Sequence, residues 1–159
     1  MITIENGYKI NDELIMSFEN KFGIILPKDY KEFMLENNGG ESEKDWIFDF
    51  YDNVTKENNS SVVRSFFRIY QNKNNEIVYD DLEEICKRMW GDGIIDNKTL
   101  PIADDPGGNV ISISVHEEDF GTVYFLNHEY EDSETGYLFA SKIASSFCEF
   151  MSHLYLDEE

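Results

Sequence analysis

The stretch from Leu100 to Val115 limits what this chain can fold into more than any other. Leu100 to Ala103 and Val110 to Val115 are short β-forming runs, and Asp104-Asp105-Pro106-Gly107-Gly108 between them is turn chemistry. In the second run Ile111, Ile113 and Val115 alternate with Ser112 and Ser114, the pattern of a strand with one apolar and one polar face. Gly121 to Leu126 (GTVYFL) supplies the next antiparallel partner. An apolar sheet face must be covered, so the rest of the chain has to supply elements with a matching apolar side.

The flanks supply helices. Asn11 caps a first helix with Leu14, Ile15, Phe18 and Phe22 at helical spacing, stopped by Gly23. Pro27 opens a second with Tyr30, Phe33 and Met34 on one side, ended by Asn38-Gly39-Gly40. Asp80 or Asp81 caps a third, in which Leu82, Ile85, Cys86 and Met89 share a face and Gly91-Asp92-Gly93 is the stop. Ser146 and Glu149 form a capping-box pattern for a C-terminal helix with Phe147, Phe150, Met151 and Leu154 inward. Between the second and third helices, Trp46 to Phe50 reads as a strand or extended segment. The polar run Asn53 to Ser61 reads as a mobile loop, Val62 to Tyr70 (VVRSFFRIY) as a strand, and Gln71 to Asn75 as a polar turn. Helices at both ends of a run of strands mean an α+β fold, expected as a single domain over residues 1–159.

Charge restricts the partners. Lys and Arg number 13 against 33 Asp and Glu, a formal net charge of −20. Such a surface repels nucleic acid and anionic membrane and points to a basic partner, to metal ions, or to solubility alone. Hydrophobic residues at 41% and aromatics at 14% are too many for a disordered acidic chain. Cys86 and Cys148 are far apart and form no CxxC or Cys/His ligand spacing, so neither a disulfide framework nor a zinc site is expected and reducing cytoplasm is the natural compartment. The first residues lack the basic and apolar regions of a signal peptide, and no apolar run approaches the roughly 18 residues that span a bilayer.

Phe18-Glu19, Gly23, Leu26-Pro27, Asp29-Tyr30-Lys31, Phe33 and Asn38-Gly39-Gly40 together resemble the opening helices of the SUKH superfamily, which includes bacterial immunity proteins and fungal cell-wall-assembly regulators. Leu100-Pro101-Ile102-Ala103 with Gly107-Gly108-Asn109 follows in that family's order. So do Gly121-Thr122-Val123-Tyr124-Phe125, His128-Glu129 and Ser146-Phe147-Glu149-Phe150, so the resemblance covers nearly the whole chain. It implies a curved, mostly antiparallel sheet flanked by helices. It also implies a non-enzymatic role, most often binding and neutralising a cognate polymorphic toxin, frequently a nuclease; the fungal relatives instead act as regulatory scaffolds.

The candidate binding residues follow from the distribution of charge. Residues 99–159 hold 13 carboxylates and a single base, Lys142. Asp104, Asp105, Glu117, Glu118, Asp119, Glu129, Glu131, Asp132 and Glu134 fall at the ends of expected strands, where loops can cluster on one rim of a sheet. Two readings stand: the rim mimics phosphates in the basic cleft of a toxin, or it is a solvated face that keeps a small protein soluble.

Catalytic and cofactor chemistry finds no pattern. A loop begun at Asp104 or Asp105 fails the EF-hand spacing, with Val115 or His116 where the closing Glu belongs. His116, His128 and His153 are scattered, and His128 is expected to make a structural hydrogen bond. There is no GxSxG elbow, and Gly107-Gly108 is not followed by the Lys-Ser/Thr of a phosphate loop. Gly39-Gly40 and Gly107-Gly108 read as positions needing positive φ, and both cysteines as inward-facing. Trp46, Trp90 and Tyr137 lie outside clean periodicity and are the candidate exposed anchors, with core packing as the ordinary alternative. No cofactor, metal or enzymatic activity is expected, and nothing demands more than a monomer or weak homodimer.

Overall fold

The computed structural model describes residues 8–71 and 78–157. Its elements are α1 (Asp12–Phe22), α2 (Lys28–Asn37), β1 (Gly40–Glu41), β2 (Ile47–Asp52), β3 (Glu57–Val62), β4 (Ser65–Phe66), α3 (Leu82–Gly91), β5 (Thr99–Asp104), β6 (Val110–Ser114), β7 (Val123–Glu131), β8 (Leu138–Ala144) and α4 (Phe147–Ser152). The fold is α+β: an antiparallel six-stranded sheet ordered β1-β4-β5-β6-β7-β8, and a separate antiparallel pair, β2-β3. Except for Gln71, the expected turn at 71–75 lies outside the described residues.

The anticipated hairpin is the centre of the large sheet. Leu100 stands opposite Ile113 and Ile111 opposite Phe125, which stacks the apolar alternation of adjacent strands on one face. On that face Phe125 stacks on Phe50 of the small sheet at a centroid distance of 4.4 Å, and Phe48 meets Phe150 of α4 at 5.7 Å. Phe33 of α2 touches Phe66 at 4.9 Å and Phe147 at 5.1 Å. Register shifts between Pro101 and Ala103, Val123 and Tyr124, and Asn127 and Glu131 bend the strands around this core.

Local chemistry sets the helix ends. Asn11 Oδ1 accepts from Leu14 N at 3.0 Å, Asp81 Oδ1 from Glu83 N at 3.1 Å, and Ser146 Oγ from Glu149 N at 3.0 Å. Pro27 stands just outside α2 as its N-cap and offers no side-chain acceptor. Asp29, in the first turn of α2, reaches instead across to Cys148 N at 2.9 Å and joins the starts of α2 and α4.

Three expectations are corrected. Asn53 to Ser61 is not a loop: only 53–56 turn, and Glu57–Val62 pairs in full with β2, from Asp52 opposite Glu57 to Ile47 opposite Val62. Val62 to Tyr70 is not one strand. Val63 N bonds Trp46 O on the small-sheet side, Arg64 N then bonds Asp104 O, and Phe67 N bonds Ile102 O, so the segment crosses from one sheet to the other and leaves only Ser65–Phe66 as β4. Cys148 is exposed on the outer side of α4, whereas Cys86 is buried as expected.

At the end of α2, Asn38 is left-handed (φ 49°) and fully buried, and Gly39 follows at φ 71°. A Cβ on Gly39 would lie 2.4 Å from Phe67 O and 2.7 Å from Phe66 O, so no other residue fits. Gly23 is also left-handed, at φ 65°, but has open space around it. Gly39→Ala is therefore expected to destabilise the fold by about 3 kcal/mol or more and Gly23→Ala by only about 1 kcal/mol, as read from urea unfolding midpoints.

Candidate functional site

The sheet order divides the expected acidic rim. Turns β5–β6 and β7–β8 leave one end of the sheet, and turn β6–β7, with Glu117, Glu118 and Asp119, leaves the other. An irregularity in β7 then brings part of the two ends together. Asn127 pairs with Phe139 but the next pair is Glu131 with Leu138, so residues 128–130 bulge out and the hairpin tip folds back. Leu138 N donates to Ile94 O at 3.0 Å, which pins the tip to the segment that leads into β5.

The folded tip, that segment and the polar face of the sheet enclose a cleft of about 280 Å³. Asp96, His116, Asp119, Tyr124, Asp132 and Tyr137 provide its polar lining, and Leu126 and Ala140 its apolar floor. Asp96 Oδ1 is 2.9 Å from His116 Nε2 and accepts from Lys98 N at 2.8 Å. Asp119 accepts from Ser114 Oγ and, at 2.6 Å, from the Tyr124 hydroxyl. Burial pulls the Asp119 carboxyl up, but the hydrogen bonds from Ser114 and Tyr124, with His116 nearby, outweigh it and leave it below the usual carboxylate range. Burial, then the bond to Asp119, pushes Tyr124 up to about 12.

Several anticipated contact residues have structural work. Asp104 is paired with Arg64 and accepts from Ser65 Oγ at 3.1 Å. Asp105 is buried, holding Ser61 Oγ at 2.7 Å, Asn109 N at 2.8 Å and Asn109 Nδ2 at 3.0 Å. Both carboxylates are therefore engaged within the fold. Asn109 Oδ1 in turn accepts from His128 N at 3.0 Å and lies 2.7 Å from His128 Nδ1, so two of the resemblance motifs, Gly107-Gly108-Asn109 and His128-Glu129, meet and anchor the β7 bulge. Gly108 has φ 86° and faces the His128 ring, whereas Gly107, against expectation, has no positive φ, and a Cβ there would make ordinary contact with the Asp105 and Asn109 side chains.

Glu117, Glu118, Glu129, Glu131 and Glu134 are exposed, and Asp132 is half-buried at the cleft. Of the candidate anchors, Trp46 is buried and Trp90 donates its Nε1 to Thr99 O at 2.9 Å, so Tyr137 alone meets solvent at the site. Asp96 and His116 were not anticipated. No local pattern marks them; only the fold brings the segment before β5 onto the β6–β7 turn. Among the described residues no group of three His, Cys, Asp or Glu side chains is placed to hold a metal ion. Burial pushes the Cys86 thiol well up, away from nucleophilic character.

A sheet of this topology, helices on its apolar face and a carboxylate-lined cleft on the other side define an α+β domain of one recognisable class. The model of the SMI1 / KNR4 family (SUKH-1) matches residues 9–153, and the chain belongs to that family. No curated protein compared with it matches.

Because the depressed Asp119 carboxyl stabilises the folded state only while ionised, that contribution is present above its unfolded pKa and is lost as pH falls through the lower folded value. Asp119→Ala is expected to cost about 1–2 kcal/mol at pH 7, after allowance for partial exposure. The gap to the parent should close in acid below about pH 4, which urea titrations at neutral and acidic pH will measure.

Proposed function

We propose that this chain is an immunity protein, without enzymatic activity, that neutralises a cognate protein toxin by tight stoichiometric binding. The family supports the class, since its members include proteins of this kind. The observation that carries the partner's chemistry is the exposed, unpaired carboxylate set Glu117, Glu118, Glu131 and Glu134 around a cleft whose three aspartates have no lysine or arginine partner among the described residues. That surface is complementary to a basic protein, such as a nuclease whose own cleft is built for phosphates. Occlusion of the toxin is the mechanism, and it asks for no cofactor. Residues 1–159 act as one domain, monomeric or weakly dimeric, in the cytoplasm where a toxin made by the same cell must be held. Among the described residues no helix is long and apolar enough to cross a membrane.

The reading predicts its own kinetics. Titrated by calorimetry into the toxin domain encoded beside its gene, the protein should bind one-to-one in the nanomolar range, weaken with salt and abolish toxin activity. Glu117→Lys with Glu118→Lys should slow association about ten-fold at low salt and much less at high salt. No binding and undiminished toxicity from a folded protein overturn the pairing and leave a regulatory scaffold as the function.

A further inference from the structure

The cleft between the folded β7–β8 tip and the β6–β7 turn has chemistry more specific than an acidic patch. It is concave, with a volume of about 280 Å³, enough to admit one long side chain. Asp96, Asp119 and Asp132 face it with only His116 as a potential counter-charge, because no described lysine or arginine lines it or pairs with any of the three. The carboxylates are too dispersed to converge on a metal ion, since no triad of ligating side chains is present among the described residues. Dispersed acceptors around a narrow slot suit a flat cation with several outward N–H groups rather than a point charge. The slot offers such a cation two aromatic rings, Tyr124 and Tyr137, and an apolar floor of Leu126 and Ala140.

A second, independent observation lies beneath the floor. Ser112 is fully buried, and its Oγ has no hydrogen-bond partner. It stands opposite Tyr124 in the β6–β7 register and two residues from Ser114, and both of these line the cleft, so the alternation of the strand turns the Ser112 side chain to the same face. An unpartnered buried hydroxyl costs free energy unless something it can bond comes to it. Ser112 has no exposed surface and does not itself line the cleft, so it lies behind the slot and would need a water to link it to an entering group.

We infer that the cleft is the receptor for a single arginine side chain of the partner protein, the guanidinium held among Asp96, Asp119 and Asp132 and flanked by Tyr124 and Tyr137. The inference deepens the immunity reading and rests on it for the partner's identity. It assigns the cleft a different task from the exposed glutamates: they accelerate encounter, whereas the seated arginine governs how long the complex lasts.

The test uses the full chain, isotope-labelled for NMR, and two probes, N-acetylarginine methylamide and its neutral, equally planar citrulline counterpart. The arginine probe should shift the backbone amides of His116, Tyr124, Thr135 and Tyr137 saturably, and the citrulline probe should bind about ten-fold more weakly or not at all. Asp132→Asn and Tyr137→Ala, at the solvent edge of the cleft where the fold tolerates change, should each weaken the arginine probe about five-fold with unfolding midpoints unchanged. Shifts scattered over the glutamate surface without saturation, or equal binding of both probes, overturn the inference. The same two variants are then mixed with the toxin. Dissociation faster by about ten-fold with association unchanged supports the seated arginine. Wild-type dissociation from both variants overturns it while the immunity reading stands. A toxin that fails to bind at all, beside an arginine probe that seats in the cleft, overturns the immunity reading and leaves the cleft as an arginine receptor for another protein.

Discussion

The close approach of Gly39 to the Phe66 and Phe67 carbonyls fixes where α2 meets the sheet, and positions much further along the chain depend on it. Beside it the Asn38 amide behaves as a strand residue would: its Nδ2 donates to Ile69 O at 2.9 Å and its Oδ1 accepts from Ile69 N at 2.9 Å. This holds the 66–69 segment extended although it forms almost no ladder of its own. Arg68 then exchanges backbone bonds with the start of α3, donating to Asp80 O and accepting from Leu82 N, each at 2.8 Å. From α3 the order passes to the cleft: Trp90 Nε1 bonds Thr99 O, Lys98 O accepts from Val115 N, and Asp96 is delivered to His116. The cleft wall is thus linked through these bonds to a backbone contact in another part of the molecule, and the glycine there is a steric requirement.

The hairpin at 100–115 and the helix caps were legible because their determinants are local: alternation, turn residues, and a side-chain oxygen within three residues of the N–H it satisfies. β3 was not. Its sequence, ENNSSV, has little β propensity and is mostly exposed, and it is a strand because Asp52 turns the chain back on β2 and Asn53 bonds Ala140 O and Ser141 Oγ on β8. Those partners lie 87 and 88 residues away, beyond any local pattern. Val62 to Tyr70 failed in the opposite sense. Its β propensity is genuine and reflects burial, with Val63, Phe66, Phe67 and Ile69 all in the core, but propensity does not reveal that the ladder partner changes at Arg64.

The acidic residues were found by counting, and counting treated Asp and Glu alike. The fold separates them. Asp104, Asp105, Asp119 and Asp132 each accept a hydrogen bond from a nearby turn or strand group, while Glu117, Glu118, Glu129, Glu131 and Glu134 are all exposed. For Asp105 and Asp132 one methylene accounts for the difference, whereas Asp104 and Asp119 accept from side-chain hydroxyls. A carboxylate on a short stem reaches the backbone N–H two to four residues on and closes the turn, whereas the longer stem carries its charge past the turn into water. Read in this way, the rim already held two populations in the sequence. The β7 fold-back, which brings Asp132 into the same cleft as Asp119, and the placing of Asp96 beside His116 required the structure.

These two populations act over different distances. The exposed glutamates are separated from any approaching partner by water and salt, so their field is attenuated over a Debye length of about 8 Å at physiological ionic strength. In the proposed role they would orient an encounter and contribute little once contact is made. The aspartates of the cleft are already ordered, all three by hydroxyl or backbone donors that keep their charge in place without neutralising it. A cation entering as proposed would meet acceptors that need no rearrangement, in a concave cleft where attraction is screened less than on the rim. The bonds that build the turns therefore also preorganise the binding wall, and a side chain with the wrong shape gains the rim's attraction without the cleft's. On the proposed reading, specificity among basic partners would follow from that difference: net charge would bring many to the surface, and the shape of the slot would retain few.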